Sequence, residues 1–207
     1  MSMSQEKSIE RMRLLGLTAD YLLEHGVLDL RLRTLGVAIG SSHRVLLYYF
    51  ASKEELIAEA LDEAARKASV RDASLLGPQG TGPVVEELTR VWRLVSAPAQ
   101  LPLIRLFLQV VAVAIHDSTR YAGFLEGLTT EWAAAYREYF GALGMPDEES
   151  IAIAAEIVGL QRGLQLELAV GGSPEDVDRS FATAARSWAA RIEQAALASR
   201  DAAPGLV

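Results

Sequence analysis

Arg31, Arg33, His43, Arg44 and Lys53 fall in one window, Leu30 to Lys53, that contains no carboxylate. Guanidinium and ammonium groups with no acid between them raise the local positive potential, which is what binding a string of phosphates requires. Without a supporting motif the same window reads as a solvated basic face. The net charge of −7 does not oppose the phosphate reading, because its distribution is uneven. Through Leu56, seven Lys/Arg balance seven Asp/Glu, so all the excess acid lies further along the chain. Other chemistry finds little support. His25, His43 and His116 are the only histidines, and none has the spacing of a metal site. The absence of Cys excludes disulfides, thiol nucleophiles and thiolate metal sites. Glu86-Glu87 and Asp147-Glu148-Glu149 look like helix-start acids, and no nucleophile elbow appears. The chain is therefore not expected to be an enzyme, and no cofactor or metal is implied.

The elements that must position the basic window are helical. Strand alternation is nearly absent, and β-branched residues sit inside patterns of helical period. Ile9, Met12, Leu15, Ala19 and Leu22 recur at helical spacing and stop at Gly26. Short segments follow at about 30–37 and 42–49. Ser52 and Glu55 form a capping box that opens a helix to about Ala68. The strongest break is Gly77-Pro-Gln-Gly-Thr-Gly-Pro83, which reads as a loop and lacks the Gly-Lys-Ser/Thr of a phosphate loop. Beyond it, helices are expected near 83–96, 100–116, 119–142, 148–170 and 174–199. Ser173 with Pro174 is an N-cap followed by a first-turn proline. About nine helices result, an all-α fold with the first four set apart. With half the residues apolar and 23% charged, a soluble globular protein is expected. Met1–Glu10 is polar, with no secretory signal, and the most lipid-like stretch, Leu103–Ile115, contains Arg105 and Gln109 and is short for a bilayer. The expectation is a cytoplasmic location and no membrane partner.

Within the basic window, two short helices flank a tight turn. Leu32, Leu35 and Val45 are placed to share a small core. Gly40 stands where the chain reverses, since a residue lacking Cβ takes the left-handed conformation cheaply. Ser42 can cap the second helix, leaving His43, Arg44 and Leu47 near its outer face. A bihelical unit of this kind, with a capped second helix and carboxylate-free flanks, is what reading a DNA major groove requires.

The segment from about Ile9 to Leu61 resembles the DNA-binding domain of the tetracycline-repressor (TetR) family of transcriptional regulators. The match is dense at Gly26, Leu32, Leu35, Ala38, Gly40, Ser42, Leu46, Tyr49-Phe50 and Ser52-Lys53-Glu54-Glu55-Leu56, in one ungapped register. The resemblance implies a three-helix helix-turn-helix domain at 1–55 (motif about 30–50) and a helical effector-binding and dimerisation domain at 56–207. It implies a sequence-specific DNA-binding regulator, with repression released by a small molecule as the usual mode. DNA contacts are assigned to Arg31, Arg33, Ser42, His43, Arg44, Leu47, Tyr48 and Lys53. Arg44 either reads guanine through its planar fork or contacts phosphate. His43 and Ser42 reach bases or backbone, and Arg31, Arg33 and Tyr48 are phosphate anchors. Lys53 resembles a phosphate-contacting lysine of the family, whereas Tyr49 and Phe50 are expected in the core. The sequence departs from the family at Leu30-Arg31, where a Thr or Ser commonly starts the first motif helix, so that Asp29 is left to cap it. It departs again at Gly36, Ser41, Arg44 and Leu47. Gly36 replaces an Ala at a cost of about 1 kcal/mol in helix propensity.

Such a domain works as a dimer on a palindromic operator in double-stranded DNA. The last two helices are the expected homodimer surface, through Ile151, Ala155, Val158, Gly159, Gly163, Phe181, Ala185, Trp188 and Ile192; the alternative is that these faces pack only within one chain. Trp92, Phe107, Val111, Trp132 and Tyr136 are candidates to line an effector pocket or are plain core. Arg105, Gln109 and His116 share one helix face, as polar ligand contacts or as a solvated face. The alternative function is a helical ligand-binding or scaffolding protein without DNA affinity.

Overall fold

The computed structural model describes residues 3–68, 82–119 and 121–202. Among them are nine α-helices and no strand: α1 (Met3–His25), α2 (Leu32–Ala38), α3 (His43–Tyr49), α4 (Lys53–Lys67), α5 (Val84–Ser96), α6 (Leu101–His116), α7 (Ala122–Ala142), α8 (Asp147–Ala169) and α9 (Pro174–Ala202). The protein is all-α, as the periodicity requires, and the later helices begin and end within three residues of their expected bounds. The starts follow from local chemistry. The Ser52 hydroxyl accepts from Glu55 N–H at 2.9 Å, and the Ser173 hydroxyl from Asp176 N–H at 3.3 Å. Glu55 returns the bond to Ala51 N–H at 3.0 Å, one residue earlier than a standard capping box. The Gly77–Pro83 break lies outside the described residues up to position 81, and Pro83 stands at the N-cap of α5.

The chain divides into two compact units, Met1–Arg71 with Ala99–Glu126 and Asp72–Pro98 with Gly127–Val207. The domain boundary expected at 55/56 falls inside α4, which packs along α1 in the first unit. The inward side of α1 is Leu14, Thr18, Ala19 and Leu22, all fully buried. Ile9 and Met12, expected on that side, are more than half exposed, because the apolar residues of α1 spread around the helix and only one side is covered. Thr18 is buried without cost to its hydroxyl, which donates to the Leu14 carbonyl at 2.8 Å. Two ion pairs tie α1 to α4: Arg11 to Glu59 and Lys67 to Asp20, each at 2.6 Å. The run Pro98–His116 is, by length and composition alone, long and apolar enough to cross a membrane, longer than the stretch read from the sequence. In this fold α6 packs on α1 and α4 and buries Leu103, Ile104, Leu106, Val110 and Ala114.

In the second unit, α5, α8 and α9 pack on one another. Trp92 of α5 stacks on Phe181 of α9, with ring centroids 4.7 Å apart, and its indole N–H donates to Asp178 at 2.7 Å. The fully buried Tyr136 hydroxyl accepts from the Gln161 amide at 2.8 Å, and burial pushes its pKa well above the ordinary tyrosine value.

Candidate nucleic-acid interface

Two seven-residue helices, α2 and α3, pack on each other around a reversal at Gly40. Gly40 has φ 68°, the left-handed conformation that an L side chain resists. The Ser41 N–H closes on the Gly36 carbonyl at 2.7 Å. Ser42 is extended, and its hydroxyl accepts from Val45 N–H at 3.3 Å, capping α3 as expected. Gly36 has a specific reason to be glycine: a Cβ there would stand 2.9 Å from the His43 nitrogen and the Ser42 carbonyl carbon. The loss in helix propensity is therefore exchanged for close approach of the two helices. Asp29 does not cap α2; the N-cap is Arg31 in extended conformation, with no side-chain cap bond. Leu46, not Val45, is the buried anchor of α3. Leu46 is fully enclosed, as Leu35 is on α2, while Val45 is 38% exposed and Leu32 is half-buried.

With only Leu46 buried, α3 presents His43, Arg44, Val45, Leu47 and Tyr48 to solvent. Arg31 and Arg33 are exposed at the start of α2, and Val37 is exposed further along it. Among the described residues, Arg11, Arg13, Arg66, Arg90, Arg179 and Arg191 are in ion pairs, whereas Arg31, Arg33 and Arg44 are in none. Three exposed guanidiniums without acidic partners have their donors available for phosphates or base edges. Phe50 is buried as expected, under the Arg11 guanidinium at 4.7 Å, and Tyr49 is only half-buried.

Lys53, expected to contact phosphate, makes a hydrogen bond within the chain. It is half-buried, and its ammonium donates to the Leu30 carbonyl at 2.6 Å, tying the start of α4 to the approach to α2. Two contributors from α1 escaped the sequence reading. The Lys7 ammonium lies 5.5 Å over the ring of the exposed Tyr48, and its interaction with Tyr48 raises its pKa. Arg11 donates through Nε to the Tyr49 carbonyl at 3.2 Å, fixing the end of α3. Both contacts join residues about forty positions apart, and no local pattern marks them.

The other candidate residues divide. On α8, Ile151, Ala155, Gly159 and Gly163 are exposed, and Val158 is half-buried. Phe181, Ala185, Trp188 and Ile192 are enclosed within their own unit, because α9 turns that side toward α5 and α8; they are core residues and not an outer surface. Leu166 and Val170, 50% and 74% exposed, continue the outward side of α8. Of the effector-pocket candidates, Trp92, Trp132 and Tyr136 belong to the second unit, and Arg105, Phe107, Gln109, Val111 and His116 to the first. Trp92 and Tyr136 are fully packed core residues. Arg105 and His116 are exposed, and Phe107 and Val111 are half-buried. The Gln109 side-chain oxygen is already occupied, accepting from Val27 N–H at 2.9 Å.

No family model and no curated protein matches the sequence. Solved structures do match in fold. A transcriptional regulator from Rhodococcus superposes with a TM-score of 0.69 at 18% identity, covering 89% of this chain and 96% of its own. A Mesorhizobium loti protein, whose name places it among TetR-family transcriptional regulators, gives 0.66 at 16% identity, with 92% and 98% covered. A Streptomyces coelicolor protein named for the same family gives 0.52 at 19% identity, with 93% and 97% covered. The chain therefore has the all-helical fold of these proteins over nearly its whole length.

Proposed function

We propose that this chain is a cytoplasmic, sequence-specific DNA-binding transcriptional regulator of the TetR type, working as a homodimer and released from its operator by a small molecule. The observation that carries the reading is the set of unpaired arginines, Arg31 and Arg33 at the start of α2 and Arg44 on α3, a capped helix with nearly every side chain outward. An exposed short helix held by one buried residue suits insertion into a groove, and free guanidiniums suit phosphate and guanine. The fold shared with solved transcriptional regulators supports the same reading.

A single α3 reads one half-site, so two copies are needed to span successive major grooves about 34–36 Å apart. The surface proposed to pair them is the outward side of α8: Ile151, Ala155, Gly159, Gly163, Leu166 and Val170. These residues share one side of the helix and are exposed. Small residues at Ala155, Gly159 and Gly163 let a second helix approach closely. The experiment is selection of bound duplexes from genomic fragments by the full-length chain. Recovery of a palindrome with salt-dependent affinity supports the reading; absence of salt-dependent duplex binding at any sequence leaves a helical ligand-binding protein instead.

A further inference from the structure

Between α1 and α2, residues 26–31 form a connector that is tied down at two points by distant side chains. Gly26 ends α1 in the left-handed conformation, φ 71°, and its N–H closes on the Leu22 carbonyl at 2.8 Å. The next donor along the chain, Val27 N–H, bonds to the Gln109 side-chain oxygen of α6 at 2.9 Å. At the far end, the Leu30 carbonyl accepts from Lys53 of α4. Between them the Leu30 N–H closes a turn on the Val27 carbonyl at 3.1 Å, and the Val27 and Leu30 side chains are buried.

Gln109 stands out on its own helix. The α6 sequence LPLIRLFLQVVAVAIH contains only Arg105, Gln109 and His116 as polar side chains. Arg105 and His116 are exposed, but Gln109 is half-buried and aimed at the connector. The connector in turn has a residue that makes room for it: a Cβ at Gly26 would overlap the Gln109 carboxamide oxygen. Glycine is thus required at 26 both for its backbone conformation and for this approach. From these contacts we infer that Gln109 is a positioning residue for DNA binding: it holds Val27, and so sets the angle at which α2 and α3 leave α1. This inference rests on the DNA-binding reading above.

The test compares Gln109→Met, which keeps the side-chain length and loses the acceptor, with Gln109→Glu, which keeps an acceptor oxygen at the same reach. The probe is a labelled duplex selected by the wild-type chain, and hydrogen exchange of the Val27 amide is followed in parallel. Gln109→Met is expected to speed Val27 exchange and weaken duplex binding about tenfold with unchanged salt slope, as expected for a lost part-buried hydrogen bond that sets geometry and not charge. Gln109→Glu should restore affinity to within about threefold. A merely structural contact would lower thermal stability and leave the affinity of the folded fraction alone. Should the Met variant melt early, Gln109→Asn keeps the amide but falls short, and is read the same way. Equal affinity of Met and wild-type chains with Val27 exchange accelerated overturns the inference and leaves DNA binding intact. A wild-type chain that binds no duplex removes the DNA-binding reading and this inference with it.

Discussion

The Lys53 ammonium lies 2.6 Å from the Leu30 carbonyl oxygen, so the cation at the start of α4 holds the approach to α2 instead of pointing into solvent. A lysine that contacts phosphate is expected to reduce the salt slope by about one when removed. Lys53→Ala is predicted to behave otherwise. It should cost about 1.5–3 kcal/mol of stability, the range for a hydrogen bond to a charged group, and leave the slope of log affinity against log salt nearly unchanged. Thermal melts and duplex titrations between low and moderate salt decide the matter. A slope that flattens by about one with no loss of stability would return Lys53 to the phosphate.

Gly36→Ala separates local propensity from packing. In an isolated helix the change is favourable by about 1 kcal/mol. In this fold the new methyl meets the backbone of Ser42 and His43 at 2.9 Å, where no flexible side chain can yield. The expected result is a net loss of about 1–3 kcal/mol, the usual cost of overpacking, together with weaker duplex binding as α3 is pushed off α2. Denaturant midpoints measure the sign directly, and a stabilised Gly36→Ala chain would show that the two helices are not held this close.

These two residues also mark how far the sequence could be read. Helix positions, the Ser42 cap and the Gly40 reversal follow from short-range chemistry, because caps and left-handed turns involve partners within a few residues. The exposed face of α3 follows from the same periodicity. Which of Val45 and Leu46 faces inward was not legible: both are apolar neighbours, and the choice depends on how α3 lies against α2. The contacts of Gln109 with Val27, Lys53 with Leu30 and Arg11 with Tyr49 join positions 23 to 82 residues apart. No spacing rule reaches that far. The aromatic face of α9 reads equally as an outer surface or as core for the same reason, since an apolar stripe does not reveal which helix covers it.

The Glu156 carboxylate accepts from Trp188 Nε1 at 2.9 Å and from Arg191 at 2.6 and 3.0 Å. The hydrogen bond from Arg191 is the largest cause holding its pKa below the ordinary glutamate value, with Trp188 adding to it. A carboxyl whose folded pKa is depressed contributes stability that is present above the unfolded value and lost as pH falls through the folded one. Because the pair is close to half exposed, the contribution is under about 1 kcal/mol. The melting-temperature gap between wild type and Glu156→Ala should therefore be small at neutral pH and close as the pH drops below the glutamate range. A gap independent of pH would assign the effect to lost packing.

Arg44 is exposed, unpaired and one turn before Tyr48 on the outward side of α3, which suits contact with a base edge. Arg44→Ala is predicted to relax discrimination at one base pair of the selected operator by about 1–3 kcal/mol. Arg33→Ala, at the start of α2, should weaken binding to every duplex alike and flatten the salt dependence. Competition titrations against operators substituted one base pair at a time distinguish them. If Arg44→Ala loses affinity uniformly across the substituted set, its guanidinium is on phosphate and base selection lies with His43 or Leu47.

The opposed faces of α8 and α9 yield the last prediction. A Cβ at Gly159 or Gly163 meets nothing within 4 Å, so larger side chains there fit the single chain without strain. Gly163→Gln should leave helix content intact, and even raise local helix stability by a few tenths to about 1 kcal/mol. If α8 pairs two copies through this small-residue side, the same change holds the second helix away and shifts the protein toward monomer by at least about tenfold in dissociation constant, or about 1.4 kcal/mol. Duplex affinity then falls with it, because two linked half-sites become independent ones. Phe181→Ala gives the contrasting result: that ring is fully enclosed against Trp92, and its loss should cost about 3–5 kcal/mol of folding stability before any question of assembly arises. Sedimentation of the two variants beside wild type reads both outcomes. A Gly163→Gln chain that remains as tightly dimeric as wild type would move the pairing surface off α8.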